Sequence, residues 1–173
     1  MRLFISINFN GGARARLLAL RDELRGRSER GNFPVPENPH LTLAFLGECD
    51  GKRTAAAKSA LSVVNFEPFA IVVERVGRFK RDGGDLWWAG LRGDKPLLAL
   101  QRDLSDGLAA AGFTLERRRF NPHVTLGRKV VTSSTPWTIE PFGETVGAID
   151  LMKSERIGGK LTYTAIDTRK AIL

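Results

Sequence analysis

Cysteine and long apolar runs are scarce in this chain. The only cysteine, Cys49, cannot form an intrachain disulfide, which excludes a disulfide framework and favours a reducing compartment. No apolar run approaches the roughly 20 residues that cross a membrane. Residues 1–9 are followed by Asn-Gly-Gly, so no apolar run of signal-peptide length is present at the start. We therefore expect a cytoplasmic protein that does not contact membranes.

Acidic residues are also in deficit. The chain has 27 Lys and Arg against 19 Asp and Glu, for a formal charge of +8. This balance favours an anionic partner such as nucleic acid or a phosphorylated small molecule, although a basic surface with no specific partner explains it equally well. The 173 residues, 42% of them hydrophobic, are enough for a sizeable core. We expect residues 1–173 to form a single domain made of two lobes.

Residue periodicity predicts more strands than helices. Strands are predicted at 2–9, 69–79, 86–91, 145–152 and 161–167, and a further strand is predicted to begin at each of two motifs described below. Helices are predicted at 13–30, at 52–65 with Asp50 as its cap, and from 94 to about 112. Residues 31–38 are predicted as a loop, and 80–85 as a hairpin turn. Hairpins recur, so we predict an α+β fold with antiparallel sheets.

Histidine is used twice only, and both copies lie in nearly the same hexapeptide. Residues 38–43 read NPHLTL and residues 121–126 read NPHVTL, about half the chain apart. Each motif reads as the start of a strand, where proline is tolerated. No low-complexity linker separates the two copies. The repeat predicts two tightly joined lobes that each contribute half of one site.

Strand alternation gives the repeat a chemical meaning. His40 and Thr42 share one face of their strand, His123 and Thr125 share one face of theirs, and the aliphatic neighbours point into the core. A tetrahedral anion between the two pairs can receive hydrogen bonds from both threonines. One neutral histidine can take a proton from water while the other, protonated, gives one to a leaving oxygen. The scheme needs no metal or other cofactor, and the residues do not show which histidine does which.

Two rival motifs carry less weight. A zinc site would need more ligands than two histidines, and they would have to come from Cys49 or from carboxylates that happen to lie nearby. Residues 80–83, KRDG, fit the Lys-x-Asp-Gly pattern of ATP-dependent nucleic-acid ligases, in which the lysine takes the adenylate. Because this segment lies in a predicted hairpin turn, where Asp-Gly is common, we interpret Lys80 as a turn residue.

The two motifs resemble those of the 2H phosphoesterase superfamily, at HLTL 40–43 and HVTL 123–126. The chain is most similar to the branch of RNA 2′,3′-cyclic phosphodiesterases, historically called 2′-5′ RNA ligases. Further matching segments are RLFI 2–5, PENP 36–39, AFLG 44–47 and VGRF 76–79. The resemblance implies a bilobal fold, with two pseudo-symmetric lobes of antiparallel sheet and flanking helices around one central cleft. It also implies metal-independent hydrolysis of a terminal 2′,3′-cyclic phosphate to a 2′-phosphate, with possible reversal as ATP-independent 2′-5′ RNA ligation.

The same resemblance assigns roles within the motifs. His40 is then the proton donor and His123 the proton acceptor, while Thr42 and Thr125 bind the phosphate. By resemblance Arg128 contacts the substrate. The expected partner is RNA with a 2′,3′-cyclic phosphate end, for example on tRNA fragments, and the expected state is a monomer.

Some alternatives stay open in the sequence. Phe45 either stacks on a terminal base or packs in the core. Residues 117–119, three arginines, either steer RNA or form a solvated loop. At most one of Trp87 and Trp88 is expected to face substrate, because neighbours on a strand point to opposite faces. The activity itself has two rivals, a 2H enzyme for a small cyclic nucleotide such as ADP-ribose 1″,2″-cyclic phosphate, and a non-catalytic RNA- or nucleotide-binding module.

Overall fold

A computed structural model describes residues 1–33, 39–116 and 118–173, and in these ranges the chain forms nine strands and three helices. The strands are β1 (Arg2–Asn8), β2 (Ser28–Asn32), β3 (His40–Glu48), β4 (Phe69–Phe79), β5 (Asp85–Leu91), β6 (His123–Thr132), β7 (Trp137–Val146), β8 (Ala148–Ile157) and β9 (Lys160–Lys170). The helices are α1 (Gly12–Gly26), α2 (Gly51–Ser62) and α3 (Lys95–Ala110). The predicted α+β class is confirmed.

Two antiparallel sheets organise the molecule. The first has the strand order β3-β1-β8-β9, and the second has the order β2-β6-β5-β4-β7. The first sheet therefore takes strands from both ends of the chain, while most of the second comes from the middle. The two motif strands, β3 and β6, belong to different sheets and contact each other. This contact brings the two halves of the repeat together.

Two of the three helices, α1 and α3, bury a leucine-rich face against the sheets, whereas α2 buries Thr54, Ala57, Ala60 and Leu61. On α1 the buried residues are Ala13, Leu17, Leu20 and Leu24, and on α3 they are Leu97, Leu100, Leu104 and Leu108. This spacing of three and four residues is that of a helix with one apolar face. Each fully buried leucine contributes about 1.5–3 kcal/mol. None of the helices in the described ranges is long and apolar enough to cross a membrane.

The second helix confirms the predicted cap. The carboxylate of Asp50 accepts a hydrogen bond from the backbone N–H of Arg53 at 2.8 Å, which satisfies one of the free donors at the helix start. The turn between β4 and β5 is also confirmed. There the backbone N–H of Arg81 donates to the Asp85 carboxylate at 2.9 Å, so Lys80 belongs to an exposed hairpin turn.

The first helix is shorter than predicted. It ends at Gly26, and residues 28–32 form β2, which pairs with β6. The prediction of a helix to 30 and of a loop from 31 is therefore wrong, whereas residues 34–38 of that loop lie outside the described part. The strand was missed because its sequence, SERGN, is mostly exposed and has no apolar alternation. Pairing with β6 determines its conformation.

The tail contains one strand more than predicted. The predicted strand 145–152 spans Gly147, which separates the end of β7 from the start of β8, and these two strands belong to different sheets. The strand β7 was missed because Pro141 and Gly143 interrupt its sequence. An edge strand tolerates both residues, and a Cβ at Gly143 would collide with the backbone of Ile71 on β4. The last strand is longer than the predicted 161–167.

Candidate active site

The two histidine motifs are held in the same way by their neighbouring strands. The carbonyl oxygen of Pro39 accepts a hydrogen bond from the N–H of Phe9 at 3.0 Å, and that of Pro122 accepts one from the N–H of Leu91, also at 3.0 Å. Because each proline directly precedes its histidine, these bonds fix the start of each motif strand against β1 or β5. The two copies of the sequence motif are thus anchored by equivalent hydrogen bonds.

Each motif strand also contains one extra residue directly after its threonine. The pairing shifts by one position at Leu43 in β3 and at Leu126 in β6. Such bulges redirect the side chains that follow them. As a result, the fifth residue after each histidine lies on the histidine–threonine face. These residues are Phe45 and Arg128, and both are exposed there.

Four of the six predicted site residues line one open cleft of about 680 Å³. They are His40, Thr42, Phe45 and Arg128. The side chain of Phe45 is 51% exposed, so it is not a core aromatic. The other two predicted residues, His123 and Thr125, lie on the same face of β6 as Arg128 but are not among the residues that line the cleft.

The ring of His40 is held by two aromatic residues from other strands. The Phe4 ring on β1 has its centre 5.1 Å from that of His40, and the Tyr163 ring on β9 lies 5.1 Å away, edge-on at 79°. Phe4 and Tyr163 also contact each other, with centres 5.4 Å apart. The three rings therefore form one cluster that limits rotation of the imidazole.

The ring of His123 has an equivalent support in the second sheet. The Phe79 ring lies edge-on at 84° with its centre 5.4 Å away, and the Trp88 ring lies 6.2 Å away. Glycines make room for this tryptophan, since a Cβ at Gly90 would come within 2.8 Å of its ring and one at Gly77 would be closer still. Sequence reasoning did not assign these supports, because they come from strands distant in the chain.

The protonation of His123 follows from its neighbours. Its Nδ1 lies 2.6 Å from the carbonyl oxygen of Asn121, and because a carbonyl can only accept, Nδ1 carries the hydrogen. Burial lowers the pKa of His123 from its ordinary value of 6.5; the Asn121 carbonyl opposes this effect, and the charge of Arg128 adds to it. The neutral ring therefore has an unprotonated Nε2.

A polar network fixes the strand opposite His40. The Asn8 side chain donates to the Asp150 carboxylate at 2.6 Å and accepts from the Ser6 hydroxyl at 3.0 Å. The hydroxyl of Thr168 donates to the other oxygen of Asp150 at 2.6 Å. Since Asn8 pairs directly with His40 across β1 and β3, this network stiffens the backbone on which the histidine stands.

The remaining predicted residues lie elsewhere. Both Trp87 and Trp88 are buried, and only Trp88 contacts a motif histidine. Arg118 forms an exposed ion pair with Glu116 at 2.7 Å, while Arg117 lies outside the described residues, as does Asn38 of the first motif. Within the described ranges, no group of three or more His, Cys, Asp or Glu residues could hold a metal ion.

Comparison with known proteins agrees with this geometry. The sequence profile of the 2′-5′ RNA ligase superfamily matches residues 9–156. The chain belongs to this superfamily of 2H phosphoesterases. An RNA 2′,3′-cyclic phosphodiesterase of Archaeoglobus fulgidus is 34% identical over 152 residues, which are 83% of this chain and 85% of that protein. One from Aeropyrum pernix is 35% identical over 160 residues, or 91% and 86% of the two chains.

Solved structures of other proteins show the same fold. The crystal structure of TT0787 from Thermus thermophilus is 26% identical, with a TM-score of 0.82 over 98% of this chain and 97% of that one. The apo form of Escherichia coli LigT is 23% identical, with a TM-score of 0.81 over 99% and 98%. The predicted two-sheet architecture is therefore confirmed.

Proposed function

We propose that this chain hydrolyses the terminal 2′,3′-cyclic phosphate of RNA to a 2′-phosphate. A water oxygen attacks phosphorus, the bond from phosphorus to the 3′ oxygen breaks, and one proton moves at each end. His123 takes the proton of the water, and His40 gives a proton to the 3′ oxygen. The observation that carries this proposal is the pair of equally bulged His–Thr strands, one from each sheet, that contact each other.

The hydrogen bond of His123 supports this division of roles. A general base must be neutral and must present an unprotonated nitrogen. The Asn121 carbonyl keeps the hydrogen of the neutral ring on Nδ1, and the lowered pKa keeps the ring neutral near pH 7. His123 therefore suits the acceptor role, which leaves His40 to supply the proton.

The neighbours of the histidines then bind the substrate. Thr42 and Thr125 donate hydrogen bonds to the phosphoryl oxygens, and Arg128 neutralises their charge. Phe45, exposed at the cleft, stacks on the terminal base. No cofactor takes part in these steps.

The chain works as one unit in this proposal. Strands of the two sheets alternate along the sequence, with β2 of the second sheet between β1 and β3 of the first. Residues 1–173 therefore act as a single domain with one motif in each lobe. One chain holds both motifs, so a cytoplasmic monomer builds the whole site. The reverse reaction would join a 2′,3′-cyclic end to a 5′-hydroxyl without ATP, because the same proton transfers run in both directions.

The cleft favours RNA over a small cyclic nucleotide. Arg2, Arg128 and Arg156 line it, which is more positive charge than the single phosphate of a cyclic mononucleotide requires. A non-catalytic binding module would need neither an oriented base nor a proton donor.

A single assay tests the proposal. The protein is incubated, with EDTA present, with an oligonucleotide that ends in a 2′,3′-cyclic phosphate, and the position of the product phosphate is determined. We expect turnover to a 2′-phosphate that EDTA does not affect. A 3′-phosphate product, no turnover, or loss of turnover in EDTA would contradict the proposal.

A further inference from the structure

The end of the β8–β9 hairpin extends beyond the rest of its sheet. The last pair between β1 and β8 joins Arg2 to Ser154, whereas β8 and β9 remain paired as far as Ile157 and Lys160. The turn is Gly158-Gly159, with φ values of 59° and 79°, which suit a tight two-residue hairpin turn. Residues 155–162, called the ribbon below, therefore stand beside the cleft with no support from β1.

The two faces of the ribbon differ. Alternation along the strands places Arg156 and Leu161, which pair with each other, on the face that lines the cleft. Ile157 and Lys160 pair on the opposite face and do not line it. The ribbon residues that line the cleft are thus Arg156, Leu161, which is 46% exposed, and Glu155, whose carboxylate pairs with Lys153 at 2.8 Å.

The cleft face of the ribbon continues directly from the ring cluster of Phe4, His40 and Tyr163. Tyr163 contacts His40, with ring centres 5.1 Å apart. Leu161 lies two residues farther along the same face of β9, which is about 7 Å along a strand. A polynucleotide whose end is bound at His40 can therefore extend along this face.

The charge that remains unpaired on the cleft face of the ribbon is positive. Two acidic residues line the cleft, but Glu48 lies 3.4 Å from the amino group of Met1, and Glu155 pairs with Lys153 at 2.8 Å. By contrast, no carboxylate of the described residues forms an ion pair with Arg156. Its guanidinium donates to the Gly159 carbonyl at 3.2 Å, which steadies the side chain and leaves other N–H groups available.

We propose that the cleft face of the ribbon is a second RNA subsite, in which Arg156 binds the phosphodiester that precedes the cyclic end and Leu161 packs against the adjacent base. This inference rests on the proposed function and names its substrate class as a chain rather than a mononucleotide. A cation beside an exposed aliphatic side chain suits a nucleotide, because the phosphate is charged and the base has an apolar face.

The test compares a 2′,3′-cyclic mononucleotide with a trinucleotide that ends in the same cyclic phosphate. We expect wild-type kcat/KM to be higher for the trinucleotide. Arg156→Ala should lower that value about 10- to 100-fold through KM, because a charged hydrogen bond to phosphate is lost, and should leave kcat/KM for the mononucleotide unchanged. Arg156→Lys should retain most of the trinucleotide activity. The matched control is Lys160→Ala, which removes the same charge from the other face and should change neither substrate.

Two kinetic outcomes would overturn the subsite while leaving the proposed function intact. One is equal wild-type kcat/KM for the two substrates, and the other is an Arg156→Ala effect that is absent or the same for both.

Binding of a fluorescent oligonucleotide with a 2′-phosphate end gives a readout that does not need catalysis. Weaker binding by Arg156→Ala than by Lys160→Ala supports the subsite, and equal binding contradicts it. If the wild type hydrolysed neither substrate, the proposed function would fail as well.

Discussion

The Nδ1 atom of His123 lies 2.6 Å from the backbone carbonyl of Asn121, two residues earlier in the same motif. This contact places the hydrogen of the neutral ring on Nδ1 and leaves Nε2 unprotonated. Together with the burial that lowers the pKa of His123, it suits this residue to the acceptor role proposed above. The assignment leads to measurable differences between the two residues.

We expect replacement of either histidine to abolish most activity but to affect opposite sides of the pH profile. His40→Gln and His123→Gln should each lower kcat by about 10²–10⁴, the usual contribution of a general acid or base. Residual activity should lose its fall at high pH in His40→Gln and its fall at low pH in His123→Gln. The measurement is kcat/KM against pH, with circular dichroism to check the fold. Interchanged profiles would reverse the roles.

The charge of Arg128 should tune the base. Because this guanidinium lowers the pKa of His123, Arg128→Gln should raise that pKa and move the acidic limb of the pH–rate profile to higher pH. It should also lower kcat/KM about 10- to 100-fold through the lost contact with phosphate. A matched control is Lys129→Asn, which removes the neighbouring charge and suits a backbone φ of 53°. An unmoved limb in Arg128→Gln would show that its charge does not act on the base.

The lowered pKa of His123 should also make the free energy of unfolding depend on pH. A buried neutral histidine resists protonation when folded, so the unfolded chain binds more protons as the pH falls below 6.5. The stabilisation from the neutral ring is thus present above that pH and is lost as the pH falls through the folded pKa. Urea unfolding at pH 8 and pH 5 should show a larger loss for the wild type than for His123→Gln. Equal losses would mean that the folded pKa is not lowered.

The sequence predicts the motif strands correctly because the alternation of polar and apolar residues lies within each motif. The alternation around His40 and His123 predicts which residues share a face, and Asp94 with Pro96 predicts the start of α3. The alternation could not predict the bulge at Leu43, since an extra residue is defined only by the partner strand. Without the bulge, strict alternation would place Phe45 on the wrong face.

Other parts of the site depend on long-range pairing. Tyr163 reaches His40 because β9 pairs with β8, which in turn pairs with β1. The strand β2 has no apolar pattern of its own, and its conformation depends on β6. These features follow from how strands are ordered in a sheet, which a local pattern does not specify.

The exposed ring of Phe45 should matter for binding rather than for folding. It is 51% exposed at the cleft, and Arg2 lies over it at 5.1 Å. Phe45→Ala should raise KM by about 5- to 100-fold, because stacking on a base contributes about 1–3 kcal/mol, while Phe45→Trp should keep KM near normal. Val63→Ala, at an exposed side chain outside the cleft lining, is the control. If Phe45→Ala lowered the melting temperature and left KM unchanged, the ring would be structural.

Gly77 should be needed for both stability and activity, because it makes room for the Trp88 ring that contacts His123. Gly77→Ala places a methyl group too close to three carbon atoms of the Trp88 ring, so the indole must move and its contact with His123 must change. We expect a loss of about 1–3 kcal/mol in unfolding free energy, typical of an overpacked site, and a fall in kcat larger than any rise in KM. Gly12→Ala is the matched control, because a Cβ there meets no atom within 4 Å. Stability is measured by urea unfolding and activity on the cyclic oligonucleotide. Unchanged kcat in a destabilised Gly77→Ala would show that the position of Trp88 does not determine that of His123.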